Sequence, residues 1–473
     1  MSTVRKVARN TGIIIFGDIL FRAVSLFVTI FLARYLGTVG FGKYNFVFAY
    51  LAFFGIITDL GLQTILVREM SRDCSLAPKL MGNAYIIKLI LTIFAIILSI
   101  ITISFMPYPK DTTTYIYIAA FTLLFSSFSD FYATIFQANL KMEYNVIAKL
   151  IFKGLSAVLI FSIIFVKGTL MHIIVALVFS EMVKTSLCRL FSRKFVRPQF
   201  EIDFKLWKYL FRESLPIALI SVIGVLYFRI DIIMLSIIQG DASVGIYSAA
   251  YKLSEPLILI PNALMISLFP IMSSLSEISE ERLIKSYKFG VKYLLIITLP
   301  IVIGTTVLAD KIILLIYGAK FASSSDALQI LIWAQVVTSV NSVLLYLLVS
   351  IGKQKLNTLS HILCIIVNII LNFILIPILS YNGAAIATVA TKVVLFVTSF
   401  YFVSKHLQIL PMHKIAIKPV ISGLMMGTFV YYFMDINLFL LISLAGIIYL
   451  ATLFALREFR EDDINIMKKI ISK

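Results

Sequence analysis

Charge is what this 473-residue chain has least of. Only 14% of its residues are charged while 60% are hydrophobic, and the mean hydropathy is +1.00, a composition that excludes a soluble globular protein. Histidine is scarce as well. The four present, His172, His361, His406 and His413, fall near the ends of apolar runs, so neither a histidine metal site nor a histidine-based catalytic pair is indicated. Cys74, Cys188 and Cys364 have no paired spacing, which argues against a disulfide framework and against a cysteine metal cluster. No cleavable leader is visible either. The first apolar run is too long for a leader's hydrophobic segment and lacks a small-residue cleavage site, so it is expected to stay as a signal anchor.

Long apolar runs are what the chain has instead. A helix needs about 20 mostly apolar residues to cross a bilayer. Fourteen such windows can be marked, at 12–36, 43–66, 82–106, 115–138, 146–166, 170–191, 211–238, 244–270, 289–309, 325–351, 356–379, 383–404, 415–434 and 437–456. The expected fold class is an all-α polytopic membrane protein with about fourteen transmembrane helices. A net charge of +18 would suit a nucleic-acid partner, but most of the Lys and Arg residues gather in one alternate set of connections. The other set holds Lys43, Lys110, Lys167, Lys311 and Lys320, and this asymmetry is the positive-inside pattern. Both termini are therefore expected in the cytoplasm, the protein in the cell membrane, and no nucleic acid as partner. The basic stretch RLFSRKFVRPQFEIDFKLWK, residues 189–208, reads as a cytoplasmic connection facing water or lipid headgroups.

The sequence after that connection echoes the sequence before it. LGTVGFGKY at 36–44 and QGDASVGIY at 239–247 share Gly37/Gly240, Gly42/Gly245 and Tyr44/Tyr247. ANLKMEYN at 138–145 and SIGKQKLN at 350–357 share Lys141/Lys353 and Asn145/Asn357. Each echo sits at a corresponding place in a six-helix half, the mark of a parallel duplication, and transporters place substrate between such halves. The expected organisation is an N-terminal six-helix bundle at 1–195, a second at 196–408, and two further helices with a tail at 409–473.

At this level of detail the chain resembles a known family. The runs ARYLGTVGFGKYNF (33–46), DLGLQTILVRE (59–69), RIDIIMLS (229–236), GIYSAAYKLSEPL (245–257) and KIILLIYGAKF (311–321) look like polysaccharide flippases of the Wzx type. These belong to one superfamily with the lipid II flippases and the multidrug (MATE) exporters. The resemblance covers nearly the whole chain. It implies two six-helix bundles in a V around a central cavity, with alternating access moving a lipid-linked saccharide headgroup between leaflets, and it implies no cofactor and no covalent chemistry. In the lipid II branch a cavity-lining arginine lies twelve residues before the Ala-Arg-x-x-Gly stretch of the first helix, which falls on Arg22. That branch's charged stretch on helix 8 aligns with YSAAYKLSE, putting Lys252 on its cationic position and Glu255 on its acidic one. An acidic residue of that branch would fall on Thr29, a departure that favours a different glycolipid.

The charges inside apolar windows are the candidate site. A charge at the bilayer centre costs roughly 2.5–3.5 kcal/mol, so it persists where it meets water, a partner or substrate. Arg22 and Asp18, one turn apart on the first span, read either as a phosphate contact with its orienting carboxylate or as a structural pair. Lys252 and Glu255 share a helix face just before Pro256 and Pro261, so the eighth span is expected to break where it carries charge. Arg229 and Asp231 are two residues apart and cannot share a face, so one of them needs a partner elsewhere. Asp130 and Glu181 are the candidates for binding a coupling H+ or Na+. Lys88, Lys149 and Lys153 are expected to snorkel toward headgroups, and Asp59 to hold its helix against neighbours.

The expected function is a flippase for an isoprenoid-(pyro)phosphate-linked oligosaccharide, embedded among membrane lipids and working beside a polysaccharide polymerase or glycosyltransferases. An ion-coupled MATE-like exporter predicts a cavity of carboxylates and aromatics, and a lipid II flippase predicts an acid at Thr29. A membrane glycosyltransferase or ligase needs a large extracytoplasmic loop, and the longest connection on that side is about 15 residues, near 310–324. The chain is therefore not expected to be an enzyme.

Overall fold

The computed structural model describes residues 3–407 and 409–458, excepting the side chains of 3–16, 18 and 19. Among the described residues the regular structure is entirely helical. This follows from the solvent: in hydrocarbon every backbone N–H and C=O must be satisfied within the chain, and helices do so segment by segment. Twelve helical segments are long and apolar enough to cross a membrane among the described residues. Two of them, Leu20–Arg72 and Gln354–His406, run to 53 residues each. Both are bent, and each holds two of the windows read from sequence.

Length forces those bends. Helix α1 (Thr3–Asp59) has 57 residues and would span about 85 Å if straight, nearly three times the roughly 30 Å hydrocarbon core. It breaks at Gly37, where φ is 68° and ψ is −175°. The expected connection at 37–42 is thus a single-residue turn, and the next span continues at once. The later 53-residue helix, Gln354–His406, breaks in the same manner at Ser380, so the connection expected at 380–382 is also one residue.

The first compact unit comprises residues 1–236. In it α1 packs on α3 (Ala77–Ser104), α4 (Lys110–Ala119) and α6 (Glu143–Phe165), while α5 (Phe121–Ala138) packs on α2 (Leu62–Arg72) and α7 (Leu170–Ser192). Its core joins Leu66, Met81, Phe131 and Phe136 with Leu210 from the first half of α8 (Phe204–Gln239), so packing assigns that half-helix to this unit. The second unit, residues 237–473, contains α9 (Asp241–Ser254), α10 (Leu259–Ile278), α11 (Glu280–Ile316), α12 (Ser324–Leu331), α13 (Trp333–Ser350), α14 (Gln354–His406), α15 (Met412–Tyr432) and α16 (Leu438–Ala455). Here α13 packs against α10, α11 and α14, and α15 joins α16 to α11. Large apolar side chains face outward at high exposure, among them Phe105, Phe165, Phe373 and Phe439, as a lipid-facing surface requires.

The two sequence echoes share local backbone conformation. Gly240, the counterpart of Gly37, has φ 81° and ψ −176°, within a few degrees in ψ of its partner. An L side chain pays for that positive φ, which is why glycine recurs there. At the second echo, Leu140 and Gly352 both take positive φ, and the next N–H closes the preceding helix five residues back: Lys141 to Phe136 at 2.8 Å, Lys353 to Leu348 at 2.7 Å. Both are the helix-ending turn in which a residue of positive φ lets the chain satisfy otherwise orphaned carbonyls.

Candidate functional site

The candidate charges divide between the two units. In the second, the helix break predicted near Lys252 is present: α9 ends at Ser254, a tight 3-10 turn runs Glu255–Ile258 with Pro256 in it, and α10 resumes at Leu259. Proline lacks the N–H that an α-helical continuation needs, so the chain tightens at that point. Pro261 lies past the break, buried in α10. Lys252 Nζ sits 3.1 Å from Glu255 Oε2, and the two side chains keep 30% and 39% of their exposure. The turn therefore presents an accessible cation with a carboxylate beside it.

In the first unit, Arg22 is exposed on α1. Asp18, its expected partner, lies outside the residues whose side chains are described. On α8, Asp231 is buried and engaged in an interaction while Arg229 is half-buried, in keeping with their placement on different faces. Asp130 is exposed on α5, whereas Glu181 on α7 is paired with Lys184 at 2.6 Å. Lys184 also lies 5.0 Å from the Phe152 ring. Asp130, Glu181, Lys184 and Lys149 all lie close enough to the Cys188 thiol to act on it electrostatically, so helices α5, α6 and α7 bring two acids and two lysines together. A coupling cation at Glu181 would have to displace Lys184.

One expectation is overturned. Lys88 does not snorkel: its side chain is 3% exposed and its Nζ is 2.8 Å from Asp59 Oδ1, tying α3 to α1. Its stem is enclosed by the bundle and a carboxylate is at hand, so pairing wins over reaching for headgroups. Asp59 has the packing role expected of it, and Lys153 lies 5.3 Å from the Phe21 ring. Sequence reasoning missed Lys184 as the partner of Glu181, although their i,i+3 spacing was a legible signal.

These features define a multi-pass transporter-type membrane protein. The chain belongs to the polysaccharide biosynthesis protein family, whose model matches residues 7–276, and a second model, MatE, matches residues 216–374. Among curated proteins it is similar to the "Probable low-salt glycan biosynthesis flippase Agl15" of Haloferax volcanii, 23% identical over 384 residues, which cover 80% of this chain and 79% of that protein. It is also similar to the same organism's "Probable flippase AglR", 29% identical over 194 residues, 39% of this chain and 40% of that protein. Among solved structures it shares its fold with the lipid II flippase MurJ in an inward closed conformation, with a TM-score of 0.77 at 17% identity, covering 94% of this chain and 98% of that one.

Proposed function

We propose that the protein is a flippase that carries an isoprenoid-(pyro)phosphate-linked oligosaccharide across the cytoplasmic membrane by alternating access, for assembly of a surface polysaccharide or glycan. The observation that carries this reading is the accessible Lys252 at the broken end of α9, a membrane-embedded cation of the sign a phosphate headgroup needs. An exposed ion pair is worth only about 0–1 kcal/mol, so an arriving phosphate displaces Glu255 from Lys252 at little cost. Within the first unit, Arg22 is another exposed cation of the same sign, with a guanidinium fork that suits a phosphate. The polyprenyl tail stays in lipid throughout, so the protein has to shelter only the polar headgroup. Likeness to a glycan-biosynthesis flippase along 80% of the chain supports the same reading.

In this reading both termini are cytoplasmic, as the distribution of Lys and Arg suggests. No bond is made or broken. Asp130 is the exposed acid that would take a coupling H+ or Na+, with Glu181 beside it, and a polymerase or glycosyltransferases would supply and consume the lipid-linked glycan. The test is transbilayer movement of a labelled isoprenyl-pyrophosphate oligosaccharide in liposomes holding the purified protein. Losing one charge-assisted contact worth about 1.5–3 kcal/mol predicts that Arg22→Ala and Lys252→Ala each slow movement about ten- to a hundredfold with folding intact. Undiminished movement in both variants would remove the cations from the mechanism. Ion-driven efflux of a cationic dye, with no glycolipid moved, would place the chain among exporters.

A further inference from the structure

At the C-terminal end of α7, three arginines recur at four-residue spacing: Arg189, Arg193 and, past the helix end, Arg197. Together with Tyr85 of α3, Tyr132 of α5 and Phe200 they line a cavity of about 380 Å³ within the first unit. That lies inside the roughly 300–1,000 Å³ range of small-ligand sites. Among the described residues, none of the three guanidinium groups makes an ion pair. Like charges one turn apart on a helix repel, and the α7 C-terminus offers only the partial negative charge of its last carbonyls in return. Three converging cations without a carboxylate are an arrangement that an anion completes.

The cavity is built rather than incidental. Its outer wall, residues 196–203, is fastened to α3: Gln199 N–H donates to the Pro78 carbonyl at 2.9 Å, and Asp203 N–H and Trp207 Nε1 both donate to Asn83 Oδ1, at 2.8 and 2.9 Å. Lys79 holds the Asp203 carboxylate at 2.6 Å, which keeps that acid occupied. Gly82 makes the close approach possible, since a Cβ there would lie 1.6 Å from the Gln199 carbonyl oxygen. Tyr85 meets Phe200 edge-on at 5.5 Å, and Arg189 and Arg193 lie close enough to Tyr132 to act on its phenol. Beside the cations, Phe200, Ile202 and Phe204 are 65%, 59% and 73% exposed, a row of apolar side chains that water alone would disfavour. Guanidinium forks next to exposed aromatics fit an anion attached to a hydrocarbon chain.

We propose that this pocket binds the phosphate or pyrophosphate group of a lipid, with Arg189, Arg193 and Arg197 on the anion and the tail leaving along Phe200, Ile202 and Phe204. It is a site separate from the charges at Arg22 and Lys252, and it stands whether or not the chain is a flippase, because binding is measured without transport.

The experiment uses the full-length protein in phosphatidylcholine nanodiscs, titrated with farnesyl pyrophosphate and, separately, with inorganic pyrophosphate. A third arm compares nanodiscs with and without phosphatidic acid. Trp207, fixed to the pocket wall, reports through its fluorescence. The pocket predicts saturable binding of farnesyl pyrophosphate or a response to phosphatidic acid, and the responding arm identifies the source of the phosphate. Arg193→Gln should weaken it about tenfold and the triple Gln variant about a thousandfold, since each cation contributes a charge-assisted contact. The three side chains are exposed, so thermal unfolding should be unchanged, and Lys110→Gln, an exposed cation past the opposite end of α3, should bind as the unaltered protein does. Inorganic pyrophosphate binding as tightly as the farnesyl ester would overturn the lipid assignment. Absence of any binding, or binding that the triple variant retains, would overturn the site itself.

Discussion

Glu458 is the residue whose loss should reveal most about how the second unit is held. It follows the last membrane helix, and its side chain is only 9% exposed. Lys292 Nζ of α11 donates to the Glu458 backbone carbonyl at 2.5 Å and lies 3.3 Å from its carboxylate, while Lys418 of α15 reaches the other carboxylate oxygen at 3.4 Å. One acid thus neutralises two lysines and clamps the end of α16 to α11 and α15. The two lysines differ in burial, 9% against 34% exposed. Glu458→Gln keeps the shape but leaves Lys292 charged and enclosed, and breaking a buried pair from one side costs about 3–5 kcal/mol. Lys292→Met removes the buried charge and leaves Glu458 its second partner, so it should cost about 1 kcal/mol or less. Hydrogen exchange along α16 reads the difference as a change in local opening. Exchange should accelerate roughly a hundred- to several-thousandfold in Glu458→Gln and less than tenfold in Lys292→Met, with the double variant recovering most of the protection. Equal acceleration in the two single variants would show that the carboxylate is not compensating a buried charge, and the reasoning would fail.

Other expectations follow from the same geometry. Asp59→Asn should destabilise by about 3–5 kcal/mol because Lys88 is enclosed, and adding Lys88→Met should restore most of that in thermal unfolding. Gly82→Ala should lift residues 196–203 off α3 at a cost of about 1–3 kcal/mol, seen as a shift in Trp207 emission; an unchanged spectrum would mean that the wall adapts. The Lys79 ammonium beside Asp203, with N–H groups of Leu206 and Lys205, holds that carboxyl below its ordinary 3.8. A depressed acid stabilises above its unfolded value and loses that contribution as pH falls through the folded one. The wall should therefore stay fastened above about pH 4 and loosen below it by Trp207 fluorescence, with Asp203→Asn abolishing the dependence.

How much of this was legible beforehand depended on whether a feature is local in sequence. Hydropathy and helix length are read along one chain, so the membrane class and nearly all of the spans followed from composition and run length. The breaks at Gly37, Gly240 and Glu255–Ile258 were equally readable, because glycine and proline impose their backbone preferences wherever they stand. Tertiary structure alone decided which charges on different helices meet. Lys88 with Asp59, Lys292 with Glu458, and the arginines of α7 with Tyr85 and Tyr132 join residues of different helices. The four-residue spacing of Arg189, Arg193 and Arg197 was visible, but the walls that turn it into a pocket come from α3, α5 and the strap at 196–203. A hydrophobic run states that a helix crosses the bilayer and says nothing of its rotation about its own axis or its register against the next. Rotation and register determine whether a charge faces a partner, a pocket or lipid.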